Sequence, residues 1–189
     1  MEQHQVTIIV AIVVVVVAIV AVIGFLFMRK RRSKMLQERF GPEYDRVVRK
    51  EGNVRRGEEV LQFRATRREK LQIVPLSSAA RSDFVNRWTR VQSLFVDDPK
   101  GAVSQGHKLV SELMQARGYP MGEFDQRAAD ISVDHPVVVE NYRAAHAIAL
   151  RHNRGQASTE DLRKAMVHYR SLFDELLNDS LPQRKEAQA

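Results

Sequence analysis

The sequence predicts an all-α protein: an N-terminal transmembrane helix, a basic helical stalk and a C-terminal bundle of about four helices. Three observations predict it. Residues 6–28 contain no ionisable side chain. Beyond residue 74, apolar residues recur at spacings of three and four between capping residues, which places them on single helix faces. No segment alternates apolar and polar residues with the period of two that a half-buried strand needs. Val137-Val138-Val139 is short and continues directly into helix formers.

The apolar run comes first. It is 23 residues long, and only Thr7 and Gly24 interrupt its Val, Ile, Ala, Leu, Phe and Met. A helix of that length reaches ~34 Å at ~1.5 Å per residue, against a hydrocarbon core of ~30 Å. Lipid offers the backbone no hydrogen-bond partner, so a spanning segment must be helical in spite of its β-branched residues. Met1, Glu2, Gln3, His4 and Gln5 precede the run without a cation, and Arg29, Lys30, Arg31, Arg32 and Lys34 come after it. A cleavable signal peptide has the opposite arrangement. The positive-inside rule puts the basic side in the cytoplasm and the N-terminus outside. The expected location is therefore the inner (plasma) membrane, single-pass, with the C-terminal domain cytoplasmic. The five cations serve as a topology signal, and Arg29, Lys30, Arg31, Arg32 and Lys34 are also candidates for contact with anionic inner-leaflet lipid headgroups.

Charge divides the rest of the chain. Residues 29–73 carry 15 Lys/Arg against 7 Asp/Glu, and residues 74–189 carry 15 of each. The net charge of +7 thus belongs to the membrane-proximal segment. Cysteine is absent, which excludes disulfides and thiolate metal sites and fits a reducing compartment.

Within the basic segment, helix continues over 33–40 until Gly41-Pro42 breaks it. Pro42 opens a second helix over 43–51 that stops at Gly52. A basic helix comes next, over 54–71. Its Arg55, Arg56, Arg64, Arg67, Arg68 and Lys70 alternate with Glu58, Glu59 and Glu69, and Arg55 with Glu59 is an i,i+4 pair. Apolar residues are sparse there (Val60, Leu61, Phe63, Leu71), so this helix is expected to be a stalk or half-buried arm.

Val74-Pro75 marks a boundary. Ser77 or Ser78 caps a helix over 79–96 with Phe84, Trp88, Val91 and Phe95 on its inner face. Asp98 and Pro99 start the next, over 99–117, with Val103, Gly106, Val110, Leu113 and Met114 on one face and Gly118 as its stop. A short helix is expected over 123–130. Asp134-His135-Pro136 is read as opening a further helix that runs to 151 or 153, with Val138, Tyr142, Ala145 and Ala149 buried. Ser158 to Asp161 forms a capping-box variant. The last helix, 159–177, presents Leu162, Ala165, Tyr169, Leu172 and Leu176, widened by Met166 and Phe173. That seam is read chiefly as packing inside one domain, and it would also allow self-association through 159–177. The expected organisation is an extracytoplasmic N-terminus (1–5), a transmembrane helix (6–28), a basic juxtamembrane stalk (29–73), a helical domain (74–178) and a flexible tail (179–189).

Chemistry is sparse. No Walker loop, dinucleotide fingerprint or HExxH motif occurs, and His107, His146, His152 and His168 lack metal-ligand spacing. Neither a catalytic residue, a metal nor a cofactor is assigned. Asp130, Asp134 and His135 form the densest polar cluster, for which helix capping is the simpler reading than an acid–base dyad. Nucleic acid is disfavoured, because residues 55–70 offer Phe63 alone for stacking and three glutamates cut the field.

Four stretches form a recognisable combination: Arg39-Phe40-Gly41-Pro42-Glu43-Tyr44-Asp45, Phe95-Val96-Asp97-Asp98-Pro99, Arg117-Gly118-Tyr119-Pro120 and Ser158-Thr159-Glu160-Asp161-Leu162-Arg163. Together they resemble an uncharacterised family of small bacterial single-pass membrane-anchored proteins with a helical soluble domain. The resemblance spans nearly all of 39–177. It implies a bacterial inner-membrane setting and carries no residue role. The expected function is a non-enzymatic membrane-anchored interaction or scaffold protein with an unidentified protein partner. The alternatives are a membrane-tethered enzyme or ligand-binding domain around Asp130, Asp134 and His135, or an envelope-facing domain if the topology is inverted.

Overall fold

A computed structural model describes the backbone of residues 2–178 and the side chains of residues 16–178. Among the described residues there are eight α-helices and no strand: α1 (Glu2–Phe40), α2 (Pro42–Glu51), α3 (Val54–Glu69), α4 (Ser78–Leu94), α5 (Pro99–Ala116), α6 (Phe124–Asp134), α7 (Val139–Asn153) and α8 (Thr159–Asn178). The tail expected at 179–189 lies outside the described residues, as do Met1 and the side chains of residues 2–15. Among the described residues no helix is long and apolar enough to cross a membrane. The expected span of 6–28 falls partly outside them, its side chains being described only from Val16 onward.

Local chemistry sets most boundaries. Pro42 occupies the first turn of α2, and Gly41 separates α2 from α1. The Asn53 side chain accepts hydrogen bonds from the Arg55 and Arg56 amides at the start of α3. Ser77 caps α4 by accepting from the Ala80 amide at 3.2 Å, and Asp98 caps α5 by accepting from the Gly101 amide at 2.9 Å. The capping box before α8 is reciprocal. Asp161 N–H donates to Ser158 Oγ at 3.1 Å, and Ser158 N–H donates to Asp161 Oδ2 at 3.0 Å.

One boundary differs from expectation. Asp134-His135-Pro136 does not open α7. Helix α6 runs on through Ser132 and Asp134, and His135 ends it, its amide donating to the Ile131 carbonyl at 2.8 Å. Pro136 cannot donate and disfavours helical geometry at His135, so a turn intervenes before α7 opens at Val139. Around α7 Val138, Tyr142 and Ala145 are buried as expected, together with Val139 and Ile148, and Ala149 is only half-buried.

The larger core joins α4, α5, α7 and α8, with Ala128 and Ile131 of α6. Trp88 stacks on Phe173 with ring centroids 4.7 Å apart. The stripe on α8, which would also suit a dimer seam, is occupied by the chain's own helices: Leu162, Ala165, Met166, Tyr169, Leu172, Phe173 and Leu176 are all buried. A second, smaller core gathers Leu36 and Phe40 of α1, Tyr44 and Val47 of α2, Leu61 and Ala65 of α3, and Val133 of α6. The basic helix α3 is thus half-buried rather than free-standing. Gly57 brings α3 against α2 so closely that a Cβ there would lie 2.9 Å from the Val48 Cα.

The two cores meet at α6 and at one backbone seam. Val74 N–H donates to the Arg117 carbonyl at 2.9 Å. Beside it Gly118 adopts φ +91°, and a Cβ there would lie 2.2 Å from the Gln72 carbonyl oxygen. Only glycine combines that backbone geometry with that close approach.

Candidate functional site

Charge concentrates where the basic helices meet the bundle. Glu43, on the first turn of α2, is 2% exposed. Arg143 of α7 grips its carboxylate with a two-pronged fork, Nη1 to Oε2 at 2.8 Å and Nη2 to Oε1 at 2.7 Å. Arg64 of α3 donates to Oε1 at 2.7 Å and to Ser132 Oγ at 3.2 Å. Arg46 lies 3.7 Å from the same carboxylate. One buried anion therefore ties together α2, α3 and α7.

Asp130 and Asp134 extend the seam along α6, one helical turn apart. Asp130 Oδ1 accepts from Arg67 Nε and from Gln126 Nε2, both at 2.9 Å. Asp134 pairs with Arg68 and accepts from the Tyr119 hydroxyl at 2.8 Å. Burial, and then the Asp134 charge beside it, pushes the Tyr119 phenol far above its ordinary value, which keeps it a donor. His135 turns elsewhere, its Nδ1 3.2 Å from Glu175 Oε1 on α8. The structure thus brings Asp130 and Asp134 to one helix face and separates His135 from them. Their partners are arginines of α3, and the geometry is that of an interhelix ion-pair seam. It also turns Arg64, Arg67 and Arg68 inward, leaving Arg55 and Arg56 among the cations on the outer surface of α3.

Sequence reasoning missed Glu43 and Arg143 because they stand 100 residues apart. The one available signal was a glutamate directly after Pro42 on a turn with an otherwise buried tyrosine. Arg117 was missed likewise: it is fully buried and donates to the Leu176 carbonyl at 2.5 Å, at the C-terminal end of α8 where a cation is favoured.

A second polar group lies inside the bundle. His107 Nδ1 is 3.1 Å from the Tyr169 hydroxyl, and the His146 ring stacks on Phe124 with centroids 3.6 Å apart. Both histidines are held below their ordinary value, first by burial and then by the Arg127 charge; His146 adds to the lowering at His107, and Asp125 opposes the shift at His146. The unfolded chain then takes up protons at a higher pH than the folded one. Stability from this pair is complete above pH ~6.5 and is lost as the pH falls below it. Thermal unfolding of the full chain in micelles is expected to show a midpoint that drops between pH 7.5 and 5.5, and His107→Gln is expected to reduce that drop. An unchanged pH dependence in His107→Gln would overturn the assignment.

The basic flank itself is open. Arg29, Lys30, Arg31, Arg32 and Lys34 are all exposed. Lys34 pairs with Glu38 at 3.7 Å in an exposed i,i+4 contact. Among the described residues no acidic group lies within ion-pair distance of Arg29, Lys30, Arg31 or Arg32. Immediately before them every residue from 16 to 28 is exposed, including Phe25, Phe27 and Met28. Beside this transition runs a groove of about 840 Å³ between α1 and α3, lined by Phe25, Met28, Arg29, Arg31, Arg32 and Met35 on one side and by Arg55, Glu58 and Glu59 on the other.

Among the described residues no group of three or more His, Asp or Glu side chains is placed to hold a metal ion. Comparison of the chain with protein-family models, with curated proteins and with solved structures gives no match.

Proposed function

We propose that this protein is a single-pass membrane-anchored scaffold that holds a helical body against the cytoplasmic face of a bacterial inner membrane. The observation that carries the reading is the exposed apolar surface of α1. Every residue from 16 to 28 is exposed, and contiguous exposed apolar surface of this kind calls for a lipid or protein environment. In sequence the same run extends back to residue 6 without an ionisable group. Directly after it come five exposed cations, Arg29, Lys30, Arg31, Arg32 and Lys34, placed to lie on anionic inner-leaflet headgroups.

The seam around Glu43 gives the scaffold its stiffness. Ion pairs from α3 and α7 converge on α2, so the bundle is fastened to the helices that succeed the anchor and does not trail on a flexible tether. An interaction module for a protein partner is the use this architecture supports, since the carboxylates of the seam, Glu43, Asp130 and Asp134, are engaged by arginines across helix interfaces.

The test is extraction and topology. The full chain, carrying a C-terminal tag in bacterial cells, is expected to resist alkaline carbonate. The tag is expected to be protected from protease in intact spheroplasts and cleaved after permeabilisation. Release by carbonate would overturn the anchor, and cleavage in intact spheroplasts would overturn the orientation.

A further inference from the structure

The turn between α2 and α3 returns to the level of the apolar-to-basic transition of α1. After α1 ends at Phe40, Tyr44 of α2 already lies beside Ser33, their hydroxyls 3.3 Å apart. The same Tyr44 hydroxyl donates to Glu58 Oε1 of α3 at 2.9 Å. Further back, Val54 lines a hollow with Leu26 and Arg29, and Arg55 lines the groove with Phe25, Met28 and Arg32. The chain has therefore retraced roughly 20 Å of α1, at ~1.5 Å per residue. Arg55, distant in sequence from the polybasic flank, joins it in space.

The groove this creates is amphipathic along its length. Phe25, Met28 and Met35 supply an apolar floor; Arg29, Arg31, Arg32 and Arg55 outnumber Glu58 and Glu59. Glu58 accepts from Tyr44, and Glu59 accepts from Arg55 Nε at 3.2 Å in an exposed pair that leaves the two Arg55 Nη groups to face a phosphate. Phe25 and Met28 lie toward the anchor and the cations come next, with Met35 beyond them, an order whose first two parts match one kind of molecule: acyl chain first, phosphate next. We infer that the groove between α1 and α3 is a binding site for an anionic phospholipid, with its phosphate on Arg29, Arg32 and Arg55 and its first acyl carbons on Phe25 and Met28. Guanidinium groups suit that role, because their planar forks match phosphate oxygens two at a time. The inference rests on the anchored reading above and deepens it, by turning a diffuse polybasic flank into a site completed from another helix.

The experiment uses the full chain in nanodiscs made either of phosphatidylcholine alone or with one-fifth phosphatidylglycerol. Lipids that stay with the protein after transfer to detergent are counted by native mass spectrometry. Arg55→Gln removes the groove's contribution from α3 while leaving the flank intact. Arg90→Gln, exposed on α4, makes the same charge change elsewhere. Arg55→Gln is expected to lower phosphatidylglycerol retention about fivefold, the effect of one headgroup cation. Phosphatidylcholine retention and the Arg90→Gln variant should match wild type. Equal retention in Arg55→Gln and wild type, or equal losses in both variants, would overturn the site. Flotation with pure phosphatidylcholine vesicles at high salt reads the anchor separately: a chain that floats but fails the lipid count retains the anchor and loses the groove, and a chain that does not float loses both.

Discussion

Glu43→Gln is expected to lower the unfolding free energy of the full chain in detergent micelles by about 3–5 kcal/mol, the cost of removing one partner from a buried ion pair. The reason lies in the two cations that the substitution strands. Arg64 and Arg143 have side chains only 13% exposed, and both direct their guanidinium groups at a carboxylate that is 1% exposed. A glutamine can accept from one of them, but it carries no charge to offset two desolvated cations. Chemical denaturation tracked by far-UV circular dichroism measures the loss. Adding Arg143→Gln to Glu43→Gln should then cost less than Arg143→Gln does alone, because its partner is already gone. A loss under about 1 kcal/mol, the scale of an exposed pair, would show that the seam does not fasten α2 to the bundle.

Phe173→Ala acts on the other core with a similar magnitude. Phe173 is 1% exposed and stacks on Trp88 with an interplanar angle of 18°. Truncating a buried aromatic to alanine costs about 3–5 kcal/mol in transfer and cavity terms. Trp88 is the chain's single tryptophan, so it reports directly. Its emission is expected to shift to longer wavelength as water reaches the vacated ring, together with a lower denaturation midpoint. Unchanged emission with an unchanged midpoint would mean that the α4–α8 contact does not carry the bundle. The two substitutions also separate the two cores: the first acts where α2 and α3 join α7, the second within the bundle.

The helices of the bundle were legible because their signals are local. Ser77, Asp98 and the Ser158–Asp161 box cap the helices they precede, and the α5 and α8 stripes are buried as their spacing indicated. The junction of α6 and α7 was misplaced by a competition between two local signals. Asp134 has the chemistry of a cap for α7. Pro136 made it the last residue of α6 instead, and its carboxylate went to Arg68 and Tyr119. The four stretches 39–45, 95–99, 117–120 and 158–163 are rich in architectural residues: Phe40 in the small core, Glu43 in the seam, Asp98 at a cap, Gly118 against Gln72 and Asp161 in the capping box.

By itself, then, the sequence determined the all-helical character, the caps and inner faces of α4, α5 and α8, and the contrast between an apolar run, a basic segment and a neutral remainder. Those properties depend on residues three or four apart, and one helix turn is enough to express them. Only the tertiary structure decided that α3 packs as well as projects, that its arginines divide between a buried seam and the α1 groove, and that Asp130 and Asp134 belong to that seam. Each of these needs partners on another helix, from 21 residues apart for Arg64 and Glu43 to 63 for Arg67 and Asp130 and 100 for Arg143 and Glu43. A small core assembled from α1, α2, α3 and α6 leaves too few apolar residues on any one helix to draw a stripe. Charge counted along a chain also gives no sign of which cations will find a carboxylate in space.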